Sequence, residues 1–248
     1  MKEKKLGVLG GMGPAATSLF FEKVIENTVA NKDQEHIDMV ILNHATIPDR
    51  TKAILENNKE PFLAEVKKDL HIFEQVEINN IAIPCNTSHY FYDEMQAMTS
   101  INIINMIDET VRYIRNHYGE GAKVGILATD GTINTGIYQN GCHKYNINPY
   151  TPNVHVQEKV MRTIYDFKAD KPIDVNEFES IIKDLVFVDQ CDCVILGCTE
   201  LSCIEVEEEL MPYCVDAMQV LVNESILLSG KELKYNPRSP ILTKEGLK

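Results

Sequence analysis

The chain has 248 residues, 44% of them apolar and 25% charged, with seven Cys and no Trp. That is the composition of a folded globular protein, and it excludes disordered, collagen-like and low-complexity classes. The 37 acidic and 24 basic side chains leave a net charge of −13, which repels phosphate backbones and anionic lipid unless a basic face is built.

No such face is legible. Lys and Arg are scattered, and the cluster Lys2, Lys4, Lys5 is short and interrupted by Glu3. Nucleic acid and membrane are therefore not expected partners. No apolar stretch near the N-terminus suits a signal core, and no ~20-residue apolar span occurs. Seven Cys is an odd count without the spacing of a disulfide framework, which fits a reducing compartment. The expected location is cytoplasmic.

Short apolar runs alternate with longer amphipathic stretches. Residues 6–9 (LGVL) read as a strand, followed by GGMGP and a helix over 15–30. Residues 37–42 (IDMVIL) give a second strand. A helix over 61–75 repeats Phe62, Val66, Leu70 and Phe73 on one face. A third strand spans 78–83, a short apolar run 101–106, and a helix 108–118. Lys123–Leu127 (KVGIL) is the next strand, then helices over 155–168 and 175–190, a strand at 194–196 and a helix over 217–229. Strands alternating with helices predict an α/β protein whose parallel sheets are covered on both faces.

The chain also echoes itself. LGVLGG (6–11) and VGILATDG (124–131) each join an apolar strand, a Gly-containing turn and a helix start, 118 residues apart. IAIPCNT (81–87) and VILGCTE (194–200) repeat at nearly the same offset, with Cys85 and Cys198 113 apart. Two strand-and-turn units recurring together predict two pseudo-symmetric halves.

Cys85 and Cys198 each lie just past an apolar strand, where open α/β sheets bind ligands. Asn86, Thr87 and Ser88 follow the first, and Thr199 the second. Such residues suit a helix start, whose outward N–H groups favour a carboxylate or a thiolate. Two halves related by an approximate twofold would bring these strand ends face to face. One thiolate then removes a proton from a carbon while the opposite thiol delivers one. Each sulfur must come within ~3–3.5 Å of the reacting atom, so the pair stands roughly 7 Å apart, too far for a disulfide.

Other readings are weaker. Cys142, Cys191, Cys193, Cys203 and Cys214 lack this context and suit buried filler. A zinc site from C-x-C-x4-C-x4-C departs from the usual paired spacing, so no metal is expected. GMGPAA (11–16) fits a dinucleotide fingerprint, yet the next strand carries no acid at its end, and Pro14 gives up an N–H. The turn brings backbone close to a small substrate or packs strand on helix. His89, four residues after Cys85, raises Cys–His nucleophile chemistry, as does His44, but Cys85 precedes the helix.

Together GGMGP (10–14), IPDRT (47–51), PCNT (84–87), ATDGT (128–132) and GCTE (197–200) resemble the aspartate racemase branch of the aspartate/glutamate racemase superfamily. The resemblance implies two flavodoxin-like domains with the active site in the cleft between them. The first domain is 1–107 plus a returning segment 217–248; the second is 108–216. It implies a homodimer that needs no cofactor and interconverts L- and D-aspartate, with Cys85 and Cys198 as the two catalytic bases. Arg50, on a polar turn, would hold the substrate's side-chain carboxylate, and Lys168, ending a helix, would contact the substrate. Asn86, Thr87 and Thr199 would hold its α-carboxylate and amino group, and Met12 would line the pocket. Glu200 is a further substrate-site candidate that, with Asp49, would tune the thiols. A broader aspartate/glutamate or other amino-acid racemase, a maleate isomerase-like enzyme and a non-catalytic binder of an acidic metabolite are the alternatives.

Overall fold

The computed structural model describes residues 4–234; part of the basic N-terminal cluster and residues 235–248 of the returning segment lie outside them. Eight strands form two separate four-stranded sheets. In the first, β1 (Leu6–Gly10) pairs in parallel with β2 (Met39–Asn43) and β3 (Asn80–Ala82), and β3 with β4 (Asn102–Ile103). In the second, β5 (Lys123–Leu127) pairs in parallel with β6 (Asn148–Tyr150) and β7 (Cys193–Leu196), and β7 with β8 (Cys214–Asp216). The orders are β2-β1-β3-β4 and β6-β5-β7-β8. Each half thus starts its sheet at an inner strand, adds one neighbour and returns past the first. The echo read from sequence is a repeated topology.

Both inner strands are apolar runs without alternation. All five residues of β1 are buried, as befits a parallel strand covered on both faces. Helices cover those faces: α1 (Pro14–Asn27), α2 (Arg50–Leu55), α3 (Glu60–Gln75), α4 (Tyr92–Ala97) and α5 (Met106–Tyr118). Then follow α6 (Asp130–Thr135), α7 (Ile137–Lys144), α8 (Val154–Lys168), α9 (Val175–Lys183) and α10 (Ala217–Leu228). Local chemistry sets several of their starts. Pro14 opens α1, where its missing N–H costs nothing. Asn105 and Asn153 side chains cap α5 and α8 by accepting backbone N–H groups.

Three apolar clusters hold the molecule. One packs α3 on the first sheet through Phe62, Val66, Leu70 and Phe73. Another packs α8 and α9 on the second through Val160, Ile164, Phe178 and Ile182. The central cluster takes residues from both sheets, with Val8 and Ala82 from one and Val124, Ile126 and Ile195 from the other. Apolar α10 supplies Leu221, Val222 and Ile226 to it. The halves therefore share a dry core, which holds their strand ends in one place relative to each other.

Several elements differ from the sequence reading. The helix expected over 175–190 ends at Lys183 and passes into one wide π turn, Asp184–Val188. Strand β3 is shorter than 78–83, because Ile83, Pro84 and Cys85 leave the ladder before the next turn. Helices α2, α6 and α7 and strands β6 and β8 are too short for hydrophobic periodicity to declare them.

Candidate active site

The turns after β1, β2, β3, β5 and β7 converge on one cleft between the halves. Met12 comes from the turn after β1, and Asp49, Arg50 and Thr51 from the start of α2. Cys85, Asn86 and Thr87 follow β3. From the second half come Thr129 after β5, Lys168 at the end of α8, and Cys198, Thr199 and Glu200 after β7. All nine residues singled out from sequence line this one space. Cys85 and Cys198 are 5% and 6% exposed. The open volume, about 10 Å³, is no larger than one water needs.

Arg50 is not on a free turn. It is the first residue of α2, whose start is fixed by the Asp49 carboxylate accepting the Lys52 N–H at 2.7 Å. That helix start holds the guanidinium inward. Its Nη1 donates to the Pro48 carbonyl at 3.3 Å, while its buried Nε has no partner among the described residues.

Two glycines permit the close approach. Gly11 has φ +90°, and a Cβ there would stand 2.3 Å from the His44 carbonyl carbon. Its N–H is taken by Thr17 Oγ1 at 2.9 Å, so the GGMGP turn is spent on packing strand, helix and the neighbouring loop. A Cβ on Gly131 would sit 2.9 Å from Thr51 Oγ1 and 3.2 Å from Thr87 Cγ2. Only a bare α-carbon lets α6 of the second half reach the first half here.

Charge is arranged around Cys198. Its thiol donates to Glu200 Oε2 at 2.9 Å, and Lys168 Nζ lies 3.6 Å from Glu200 Oε1. Burial pushes the Cys198 thiol well above its ordinary pKa, the Glu200 charge adds to this, and Lys168 opposes it. The Glu200 backbone N–H also points at the sulfur. Burial alone would lower Lys168, yet the Glu200 charge, foremost among its neighbours, opposes it and the ammonium is held above its ordinary value. The Lys168 ammonium thus stands beside a thiol held protonated.

Some participants carried no sequence signal. The hydroxyls of Thr87, Thr129 and Thr132 stand 3.0–3.2 Å from one another, a buried trio joining the halves at the cleft floor. Tyr138 of α7 donates its phenol proton to Asn86 Oδ1 at 2.5 Å, also across the halves. Only a paired fold brings residues so distant in sequence together, although ATDGT does contain two of the threonines.

Other candidates stand apart from the cleft. His89 is buried with Nδ1 and Nε2 at 2.8 and 3.3 Å from the carbonyls of Cys85 and Ile104. It braces the backbone of the Cys85 loop and does not reach the sulfur. His44 Nδ1 pairs with Asp69 at 2.7 Å. All seven Cys are free thiols. Among the described residues no group of three His, Cys, Asp or Glu is placed to hold a metal ion, and no helix is long and apolar enough to cross a membrane.

Twin parallel sheets with a polar cleft between their strand ends define a two-lobed α/β enzyme acting on a small molecule. The comparisons narrow this. The description of Asp/Glu/hydantoin racemases matches residues 9–225. An aspartate racemase from Picrophilus torridus superposes with a TM-score of 0.78 at 32% identity, covering 93% of this chain and 96% of that one. A broad specificity amino-acid racemase of Bacillus subtilis (strain 168) is 29% identical over 207 residues, 80% of this chain and 86% of the relative. An aspartate racemase homologue from Pyrococcus horikoshii OT3 shares the fold, with a TM-score of 0.73 at 21% identity over 92% of this chain and 99% of that one. The chain belongs to the Asp/Glu/hydantoin racemase family. It is accordingly an enzyme, an isomerase.

Proposed function

We propose that the protein interconverts L- and D-aspartate by a two-base route at Cα, with Cys85 serving one face and Cys198 the other. The observation that carries this reading is the supply of one sulfur by each half to the same buried cleft, flanked by Arg50 and Lys168. Two cations suit a substrate with two carboxylates, and the fork of Arg50 suits bidentate capture of the distal one.

The Cα proton of an amino acid is very weakly acidic while its carboxylate is ionised. Charge developing on that carboxylate must be met by fixed donors. Asn86 Nδ2, the Thr87 and Thr199 side chains and Lys168 are the groups available at the cleft. One such donor supplies on the order of 3 kcal/mol of transition-state stabilisation. Glu200 holds the Cys198 proton until the substrate arrives. No step in this scheme calls on pyridoxal phosphate or a metal.

In deuterated water, product formed from L-aspartate should carry solvent deuterium at Cα; product keeping its original hydrogen would refute the two-base route. The broad-specificity Bacillus relative favours a second reading, racemisation of several amino acids. A panel of L-amino acids and maleate, followed by chiral chromatography and an isomer assay, separates the two. Ligand binding without turnover on every compound would identify a non-catalytic binder. A homodimer in the cytosol completes the proposal; light scattering tests the first part, and the seven free thiols support the second.

A further inference from the structure

Asn86 is 2% exposed and lines the cleft, yet its Nδ2 has no partner among the described residues. A buried amide with an idle NH₂ is costly unless a ligand uses it. Which end of the amide faces the cleft is decided by its other contact. Tyr138, 0% exposed on α7, reaches Asn86 across 2.5 Å. That separation falls in the O–H···O range and short of the N–H···O range, so the atom beside the phenol is the carbonyl oxygen. Thr110, the phenol's other neighbour, gives its own proton to the Met106 carbonyl at 2.7 Å. Burial holds the phenol protonated far above any working pH. The Tyr138 proton is therefore always present and always spoken for.

We propose that Tyr138 is a positioning residue: by donating to Asn86 Oδ1 from the opposite half, it locks the amide so that Nδ2 presents its two hydrogens to a substrate carboxylate. The consequence is a preference for anionic ligands set by a residue that never touches them. Without the phenol proton, the amide turns freely and offers oxygen as readily as nitrogen. A carboxylate then meets a repelling acceptor in part of the population.

This inference rests on the racemase reading only for the nature of the ligand, and succinate, an inert dicarboxylate, probes it without turnover. Calorimetric titration of four proteins forms the test: the native chain, Tyr138→Phe, Asn86→Ala and the double variant. Tyr138→Phe should weaken succinate five- to twentyfold when Asn86 is present and less than twofold when Asn86 is already Ala. Equal losses in both backgrounds would mark a general structural role, and no loss in the single variant would mark no role; either overturns the proposal. If Tyr138→Phe does not fold, the native chain still decides. Its Asn86 side-chain NH₂ resonances should move on saturation with succinate, and unchanged resonances overturn the proposal. A native chain that binds no dicarboxylate removes the anion site and this inference with it. One that racemises aspartate while Tyr138→Phe binds succinate normally removes this inference alone.

Discussion

The Cys198 thiol donates to a carboxylate from two residues along its own chain, Glu200 Oε2 at 2.9 Å, and that carboxylate is itself held by Lys168 at 3.6 Å. All three groups belong to the second half, Cys198 and Glu200 on the turn after β7 and Lys168 at the end of α8. Nothing equivalent in charge hydrogen-bonds Cys85 among the described residues. Under the proposed two-base route the two sulfurs therefore begin the cycle differently, with Cys198 as the acid.

Replacing Glu200 by Gln tests that asymmetry. The Glu200 charge raises the Cys198 thiol and Lys168 lowers it, so removing the charge lets the thiol ionise at lower pH. In the direction that uses Cys198 as acid, the alkaline limb of kcat/KM should move to lower pH. An unmoved limb would detach Glu200 from the chemistry.

Cys85→Ser and Cys198→Ser should each lower racemisation by about 10²–10⁴-fold, the usual loss for a positioned acid or base. Cys85 belongs to the cluster on the first sheet and Cys198 to that on the second, and because the replacement is near-isosteric the melting temperature should stay within a few degrees. Full activity in either variant would remove that sulfur from the mechanism.

Thr129 both lines the cleft and caps α6, its Oγ1 accepting the Thr132 N–H at 3.3 Å. It also closes the trio with Thr87 and Thr132. Thr129→Ala removes a cap, worth ~1 kcal/mol, and leaves a buried hydroxyl pair short of one partner. Urea unfolding should show a loss of about 1–2 kcal/mol, and the variant should bind dicarboxylates more weakly. Unchanged stability would mean that water replaces the missing hydroxyl.

What sequence disclosed and what it withheld divide along a physical line. Residues 6–10 and 124–127 announce themselves because a strand buried on both faces is a continuous apolar run. The two cysteines do so because each follows such a strand and the pairs recur at one offset. Arg50 was legible as a cation but not as the first residue of α2, since six residues carry too little periodicity. The Tyr138–Asn86 bond and the meeting of Thr87 with Thr129 and Thr132 were not legible, although Asn86, Thr87 and the ATDGT motif were. They depend on how two sheets pack through a shared core, and no local pattern encodes that distance.

Buried thiols make stability fall on the alkaline side. Burial raises Cys142 and Cys214 to about 12 and Cys203 to about 11, and Cys198 also lies well above its ordinary value. The unfolded chain releases these protons near the ordinary thiol pKa of ~8.5, while the folded chain keeps them. Their stabilisation is complete below that pH and is lost as pH rises through the folded values. Each retained proton contributes a slope of about 1.4 kcal/mol per pH unit in this window. Thermal melts between pH 8 and 11 should fall steeply, and Cys142→Ala should flatten the fall. A flat native profile would mean the thiols ionise in place.

The cleft has about 10 Å³ of free space, less than a four-carbon amino acid needs, so the proposed reaction predicts that the halves part to admit substrate. The contacts expected to loosen are those crossing the site: α2 against α6, where Thr51 meets Gly131, and the threonine trio. The shared core beneath, with Leu221 and Ile226 of α10 fully buried, stays packed and acts as the pivot. Amide exchange should therefore be fast in α2 and α6 of the free protein and slow when succinate saturates it, with α10 slow in both states. Association should accordingly be slower than for a preformed open site. Equal exchange in α2 and α6 with and without bound succinate would rule out a gate at this seam and require entry by another path.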